Sequence, residues 1–183
     1  MIFATKTSKE TFYGTQKIRK TYRQDQRLAV LRNQASELLW YGKIETTVDR
    51  AKSVRSIAEK LITLAINTYE DTVKVTKTKT NLKGEKVEVE FTNDGPKKLA
   101  ARRKMIAELR DIPEAKEEKE SKTAYAKRTA DVNNPLVEKL FNEYAPIYAK
   151  RAEEKGQKGG YTRIVKLGER RGDAASMCIL ELL

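Results

Sequence analysis

Histidine is missing from this 183-residue chain, and cysteine occurs once, as Cys178. Without histidine, general acid–base chemistry loses the one side chain that titrates near neutrality unaided. A single cysteine forms no internal disulfide, which suits a reducing cytoplasm. The Cys/His donors of the usual zinc sites do not exist here, so neither metal nor cofactor is expected. Cys178 itself sits in an apolar run and reads as a core thiol. No apolar stretch approaches the roughly 18 to 20 residues needed to span a bilayer. The N-terminal MIFATKTSKETFY has no apolar run of the secretory type; its Thr- and Lys-rich, acid-poor character is also that of a transit peptide. Glycines 156, 159 and 160 form neither a phosphate-binding Walker loop nor GxGxxG. No repeat of 20–50 residues is present.

Positive charge is what the chain has in excess. Lys and Arg number 38 against 26 Asp and Glu, a net charge of +12 with a pI near 9.7. That surplus predicts attraction to a polyanion, without specifying a fold. With 39% apolar residues the chain can bury one ordinary core. Glu45, Asp49, Asp173 and Glu181 are the acids a metal-dependent nuclease would use, but their spacing gives no sign of convergence.

Periodicity then divides the sequence. Residues 1–22 lack an apolar period and carry Lys17, Arg19 and Lys20 among Phe12, Tyr13 and Tyr22. They read as an extended basic arm whose rings stack where its charges neutralise. From Arg23 to Trp40, Leu28, Leu31, Ala35, Leu38 and Leu39 recur at helical spacing, with Gly42 as terminator. Lys43–Thr47 is a short strand, and Thr46 or Thr47 is placed to cap a helix over Val48–Ala65. Thr72–Lys79 and Glu85–Phe91 alternate with period two around the turn residues Asn81–Gly84, which predicts a β-hairpin. A helix over Lys97–Arg110 should turn Leu99, Ile106 and Leu109 inward and Arg102, Arg103 and Lys104 outward. Residues 111–132 show no stripe and read as a charged spacer. Pro135 opens the last helix, with Leu136, Leu140, Tyr144 and Ile147 or Tyr148 on its buried side.

Two closing strands, Tyr161–Leu167 and Ser176–Leu182, flank GERRGDAA. Adjacent Arg170 and Arg171 on that turn offer planar forks of donors suited to phosphate, with Glu169 and Asp173 partly offsetting them. A plain solvated turn is the competing reading. The architecture expected is α/β of the α+β type: two layers, helices on a small sheet, a C-terminal β-hairpin, and an inserted hairpin with a charged spacer.

Three blocks carry a resemblance: DQRLAVLRNQASELLWYGKIETT (Asp25–Thr47), RAKSVRSIAEKLITLA (Arg50–Ala65), and PLVEKLFNEYAP (Pro135–Pro146) with GGYTRIVKLGERRGDAA (Gly159–Ala175). In this order they resemble the family of bacterial large-subunit ribosomal protein seventeen, over somewhat more than half of the chain. The arm departs from the family pattern, since Lys17-Ile18-Arg19-Lys20 is only a loose equivalent of its usual opening. Residues 1–13 look like an extension. Residues 70–132 stand where a typical member has a shorter link.

The resemblance implies a non-catalytic constituent of the ribosome in the cytoplasm, bound to large-subunit ribosomal RNA near the polypeptide exit tunnel among neighbouring ribosomal proteins. Residues 23–183 would then form a single domain behind the arm, with 70–132 a peripheral insertion. RNA contacts are expected from Lys17, Arg19 and Lys20 of the arm, from Arg23 just after it, and from Arg27, Arg32, Asn33, Lys43 and Thr46 of the first block. Arg50, Lys52, Arg55, Arg102 and Arg103 follow on helices, and Tyr161, Thr162, Arg163, Lys166, Arg170 and Arg171 on the closing hairpin. The alternatives are a free RNA- or DNA-binding regulator and, further off, the nuclease.

Overall fold

The computed structural model describes residues 24–80, 86–130 and 132–183. The arm with Lys17, Arg19 and Lys20, together with Arg23 and the Asn81–Gly84 turn, lies outside the described residues. Two compact units are present, one made of residues up to Lys60 together with Gly160–Leu183, the other of Leu61–Gly159.

The first unit contains helix α1 (Gln24–Tyr41), strand β1 (Lys43–Thr47), the start of helix α2 (Val48–Ile66), and strands β4 (Thr162–Glu169) and β5 (Ser176–Leu182). On α1, Leu31, Ala35, Leu38 and Leu39 are buried at i, i+4, i+7 and i+8, one face of a 3.6-residue helix. Gly42 ends α1 in the left-handed region (φ +80°), where its N–H reaches the Leu38 carbonyl at 2.8 Å. That conformation lets β1 begin at once.

The sheet order is β1-β5-β4, all antiparallel, so the C-terminal strand is central. Sequence alternation anticipates the β4–β5 hairpin; the pairing of β1 with β5 is new information from the fold. Registered pairs put Thr46, Cys178 and Lys166 in one row and Ile44, Leu180 and Ile164 in a second row two residues along on the same face. Cys178 and Leu180 are fully buried there, as a core thiol and its neighbour should be. Burial also raises the Cys178 thiol pKa, which makes it a poor nucleophile. Two side-chain bonds among the described residues tie helix to strand here. Gln34 Nε2 donates to Thr46 Oγ1 at 3.1 Å, and Thr162 Oγ1 donates to Glu59 Oε1 at 2.8 Å. These hold helix on sheet in the expected α+β arrangement.

The second unit holds the end of α2, the hairpin β2 (Thr72–Thr80) and β3 (Lys86–Asp94), helix α3 (Pro96–Glu108), helix α4 (Lys122–Thr129), and a long helical stretch from Pro135 to Lys155. Helix α3 departs from expectation. Ala101, Met105 and Leu109 form its buried stripe at i, i+4 and i+8, while Leu99 and Ile106 are exposed. The larger side chains misled because small Ala101 and flexible Met105 occupy the tighter positions. Residues within 70–132 therefore include buried ones, and only the hairpin and the spacer are peripheral by exposure.

The long stretch comprises α5 (Pro135–Lys139), a π turn (Leu140–Tyr144) and α6 (Ala145–Lys155). Pro146 has no N–H for the carbonyl four residues back and its ring crowds it, so the preceding turn widens. The Ala145 N–H bonds to the Leu140 carbonyl, five residues away. One extra residue shifts the phase of the stripe: Leu136, Leu140, Ala145 and Tyr148 are buried, whereas Ile147 is exposed.

The spacer is stitched by polar groups, because α4 buries nothing. Ser121 caps it by accepting from the Ala124 N–H at 3.1 Å, the Tyr125 hydroxyl donates to the Glu114 carbonyl at 3.0 Å, and Arg128 pairs with Glu114 and Glu120.

Candidate nucleic-acid interface

Within the first unit, the start of α2 and the β4–β5 turn enclose an open groove of about 610 Å³. Thr47, Val48, Asp49 and Arg50 line one side, and Lys166, Gly168–Arg170 and Asp173–Met177 the other. Helix α2 starts immediately after β1, so its first N–H groups carry the positive end of the helix dipole at this place. Gly168 sits at a bulge between the Lys166 and Gly168 pairings, with φ +110°, a conformation that favours glycine. The bulge takes β4 out of strict alternation just before the arginine turn.

The turn is closed by the Arg170 N–H to the Ala175 carbonyl and the Ala174 N–H to the Arg170 carbonyl, both at 2.9 Å. Arg170 also grips Asp173 with a two-point fork, Nε to Oδ1 at 2.9 Å and Nη2 to Oδ2 at 2.6 Å. That hydrogen bond, aided by the Ala175 N–H, holds the Asp173 carboxyl down at about 2. Arg170 thus shapes the turn, and Arg171 stands exposed beside it.

The expected site residues separate into two sets. Arg50, Lys166 and Arg171 have no ion pair among the described residues, nor do Arg32, Lys43, Lys52 and Arg103. Asn33 and Lys43 are exposed. Arg55 is bridged to Glu59 at 3.1 Å, Arg163 to Glu181 at 2.5 Å, and Arg170 to Asp173. Exposed pairs of this kind are screened by solvent and contribute little, so a phosphate can compete with them. Arg102 is different: it is half-buried, bridges Asp94 and Glu138, and lies 5.3 Å from the Phe141 ring centre. It is a structural joint of the second unit. Arg27 is half-buried, with its Nε shielded and without a hydrogen-bond partner among the described residues.

Three expected contacts face inward. Thr46 and Thr162 are buried and spend their hydroxyls on Gln34 and Glu59; Tyr161 is buried too, and its carbonyl accepts from the Leu183 N–H at 3.0 Å. The reason is strand position, since both threonines lie on the sheet face that carries Leu180. What sequence reasoning missed are the shaping residues: Gln34 and Glu59, which tie helices to strands, and Ala174, held at φ +52° on the groove wall. Gln34 gave one usable signal, a polar residue next to the buried stripe of α1.

The model of the family described as "Ribosomal protein L17" matches residues 30–183. The chain belongs to this family. Among proteins named large ribosomal subunit protein bL17, that of Lachnospira eligens is 41% identical over 180 residues, covering 86% of this chain and 93% of that protein. The Ruminiclostridium cellulolyticum protein is 43% identical over 169 residues, with 87% and 94% covered. For Oenococcus oeni the figures are 37% over 171 residues, 93% and 98%. L17 proteins are structural ribosomal proteins, and this chain is not an enzyme. The match includes α1 from its second turn, β1, α2, the groove and the closing hairpin, so the whole groove lies in the shared region. No helix among the described residues is long and apolar enough to cross a membrane.

Proposed function

We propose that this L17-family protein is a structural constituent of the large ribosomal subunit in the cytoplasm, and that it binds large-subunit ribosomal RNA through the groove at the start of α2. It would support subunit assembly and translation from a place near the polypeptide exit tunnel, beside other ribosomal proteins. The single observation that carries the RNA reading is that Arg50, Lys166 and Arg171, at and beside one groove, have no ion pair among the described residues. Phosphate contact suits them because guanidinium and ammonium groups make charge-assisted bonds to phosphate oxygens, about twice as strong as neutral ones. Such contacts position the protein along the backbone and carry no base sequence information. Residues 23–183 are read as one ribosomal domain with an insertion at about 70–132.

The test is incorporation of full-length variants into large subunits. Arg171→Glu should impair incorporation strongly, whereas Lys119→Glu, on the exposed spacer, should leave it intact. Equal incorporation of the two would remove the groove from the RNA interface. Crosslinks from position 171 to RNA remote from the tunnel exit would contradict the location.

A further inference from the structure

The β2–β3 hairpin has no role in the groove, yet its two faces are chemically unequal. Antiparallel register puts Val73 opposite Asn93, Val75 opposite Phe91, and Lys77 opposite Val89, all on one face. Glu88, Glu90 and Asp94 stand opposite Thr78, Thr76 and Thr72 on the other. Every described carboxylate of the blade is thus on one face, and the apolar face carries a cation and no acid. Val73 is 46% exposed, Val75, Val89 and Phe91 are half-buried, and the Lys77 ammonium lies over the Phe91 ring at 5.7 Å.

The base of the blade is fixed. Asp71 accepts from the Lys97 and Lys98 N–H groups at 2.8 and 3.2 Å, capping α3, and a Cβ on Gly95 would collide with its carboxylate. Asp94, the last strand residue, is held by Arg102 and by Lys98 at 3.4 Å. A two-stranded hairpin is marginal in water, and this one offers an apolar face from an anchored base.

We propose that the Val73–Val75–Lys77 face of the hairpin, with Val89 and Phe91, is a second docking surface for RNA. The inference rests on the RNA-binding reading above. The charge pattern selects the occupant: a face with an aromatic ring and a cation, cleared of carboxylates, accepts phosphate and stacks an unpaired base. A second copy of the chain would set Lys77 against its own kind.

The experiment measures affinity of the full chain for purified large-subunit ribosomal RNA. Val75→Glu and Thr76→Glu each add one negative charge at adjacent positions on opposite faces. Val75→Glu should weaken binding about tenfold and Thr76→Glu hardly at all. Lys77→Gln, which keeps the fold, should weaken it about threefold, with Lys77→Arg restoring it. Equal effects of the two glutamates, or no effect of Lys77→Gln, overturn the inference. So does a result in which RNA affinity is unchanged and the hairpin variants lose only a crosslink to a neighbouring protein in assembled subunits. Arg171→Glu is measured in parallel. If it weakens binding while the hairpin variants do not, only the second surface fails; if it too is silent, the RNA-binding reading fails with it.

Discussion

The groove and the 111–130 spacer are both crowded with charge, but they use it in opposite ways. Around the groove, Arg50, Lys166 and Arg171 are left without ion pairs among the described residues, while Arg170 is tied to Asp173 to build the turn. In the spacer, Arg128 is consumed by Glu114 and Glu120, and its guanidinium lies 5.6 Å from the Tyr125 ring centre. A count of cations scores the two regions alike. What separates them is placement: the groove's cations gather at one concave surface, whereas in the spacer Lys116, Lys119, Lys122 and Lys127 stand exposed on a segment whose one arginine is spent on its own acids.

The largest expected effect comes from trimming the second unit at two depths. Replacing the hairpin alone, residues 72–94, should leave a cooperative thermal transition, because its described side chains are exposed or half-buried. Replacing 72–132 should abolish that transition for the second unit, because it also removes Met105 and Leu109 from their buried positions. Cooperative melting of the longer deletion would show that α3 is as peripheral as the spacer. Next in size is Leu38→Ala in the first unit. Leu38 is fully buried, so its loss should cost about 2–5 kcal/mol in denaturant unfolding, the range for a cavity in a packed core.

These two predictions show where the sequence was informative. Period 3.6 placed α1 and α2 within a residue or two, and all five strands were legible from local pattern, four of them as the two hairpins. On α3 the apolar residues lie on more than one face, so spacing alone does not select the inner one: the fold buries Ala101, Met105 and Leu109 and leaves Leu99 and Ile106 exposed. The stripe after Pro135 slipped because one π turn inserts a residue, an event local to Pro146 that a fixed period does not contain. For the candidate site, charge and turn residues were readable at Arg50, Lys166, Arg170 and Arg171. The inward direction of Thr46, Tyr161 and Thr162 was not, since it depends on β1 pairing with β5, a contact between distant parts of the chain.

Arg102 sharpens the same distinction between committed and free cations. Burial alone would push the Asp94 carboxyl pKa up, but the hydrogen bond and charge of Arg102, with the charge of Lys98, outweigh it and leave it lowered. A lowered folded value means Asp94 contributes stability above the ordinary carboxyl range near 4, lost as pH falls through its folded pKa. Asp94→Asn should therefore flatten part of the acid limb of the stability curve, while Arg102→Ala should cost about 1–3 kcal/mol at neutral pH by taking the partner from Glu138 and leaving Asp94 with Lys98 alone. An acid limb unchanged in Asp94→Asn would assign the joint no part in folding. The smallest effect belongs to Ala174, a non-glycine residue at φ +52°. Ala174→Gly relieves that strain and should raise stability by a few tenths to about 1 kcal/mol. A loss of stability would mean that the β4–β5 turn is not strained at this position.

The central claim is that the unpaired cations of the groove grip phosphates. It is tested most directly by the salt dependence of affinity for large-subunit ribosomal RNA, comparing the unaltered chain with Arg50→Gln/Lys166→Gln/Arg171→Gln. Each phosphate contact contributes about 0.7–0.9 to the slope of log affinity against log salt, so the variant's slope should be shallower by about 2–3. Parallel lines, with the variant binding as tightly as the unaltered chain, would contradict the claim.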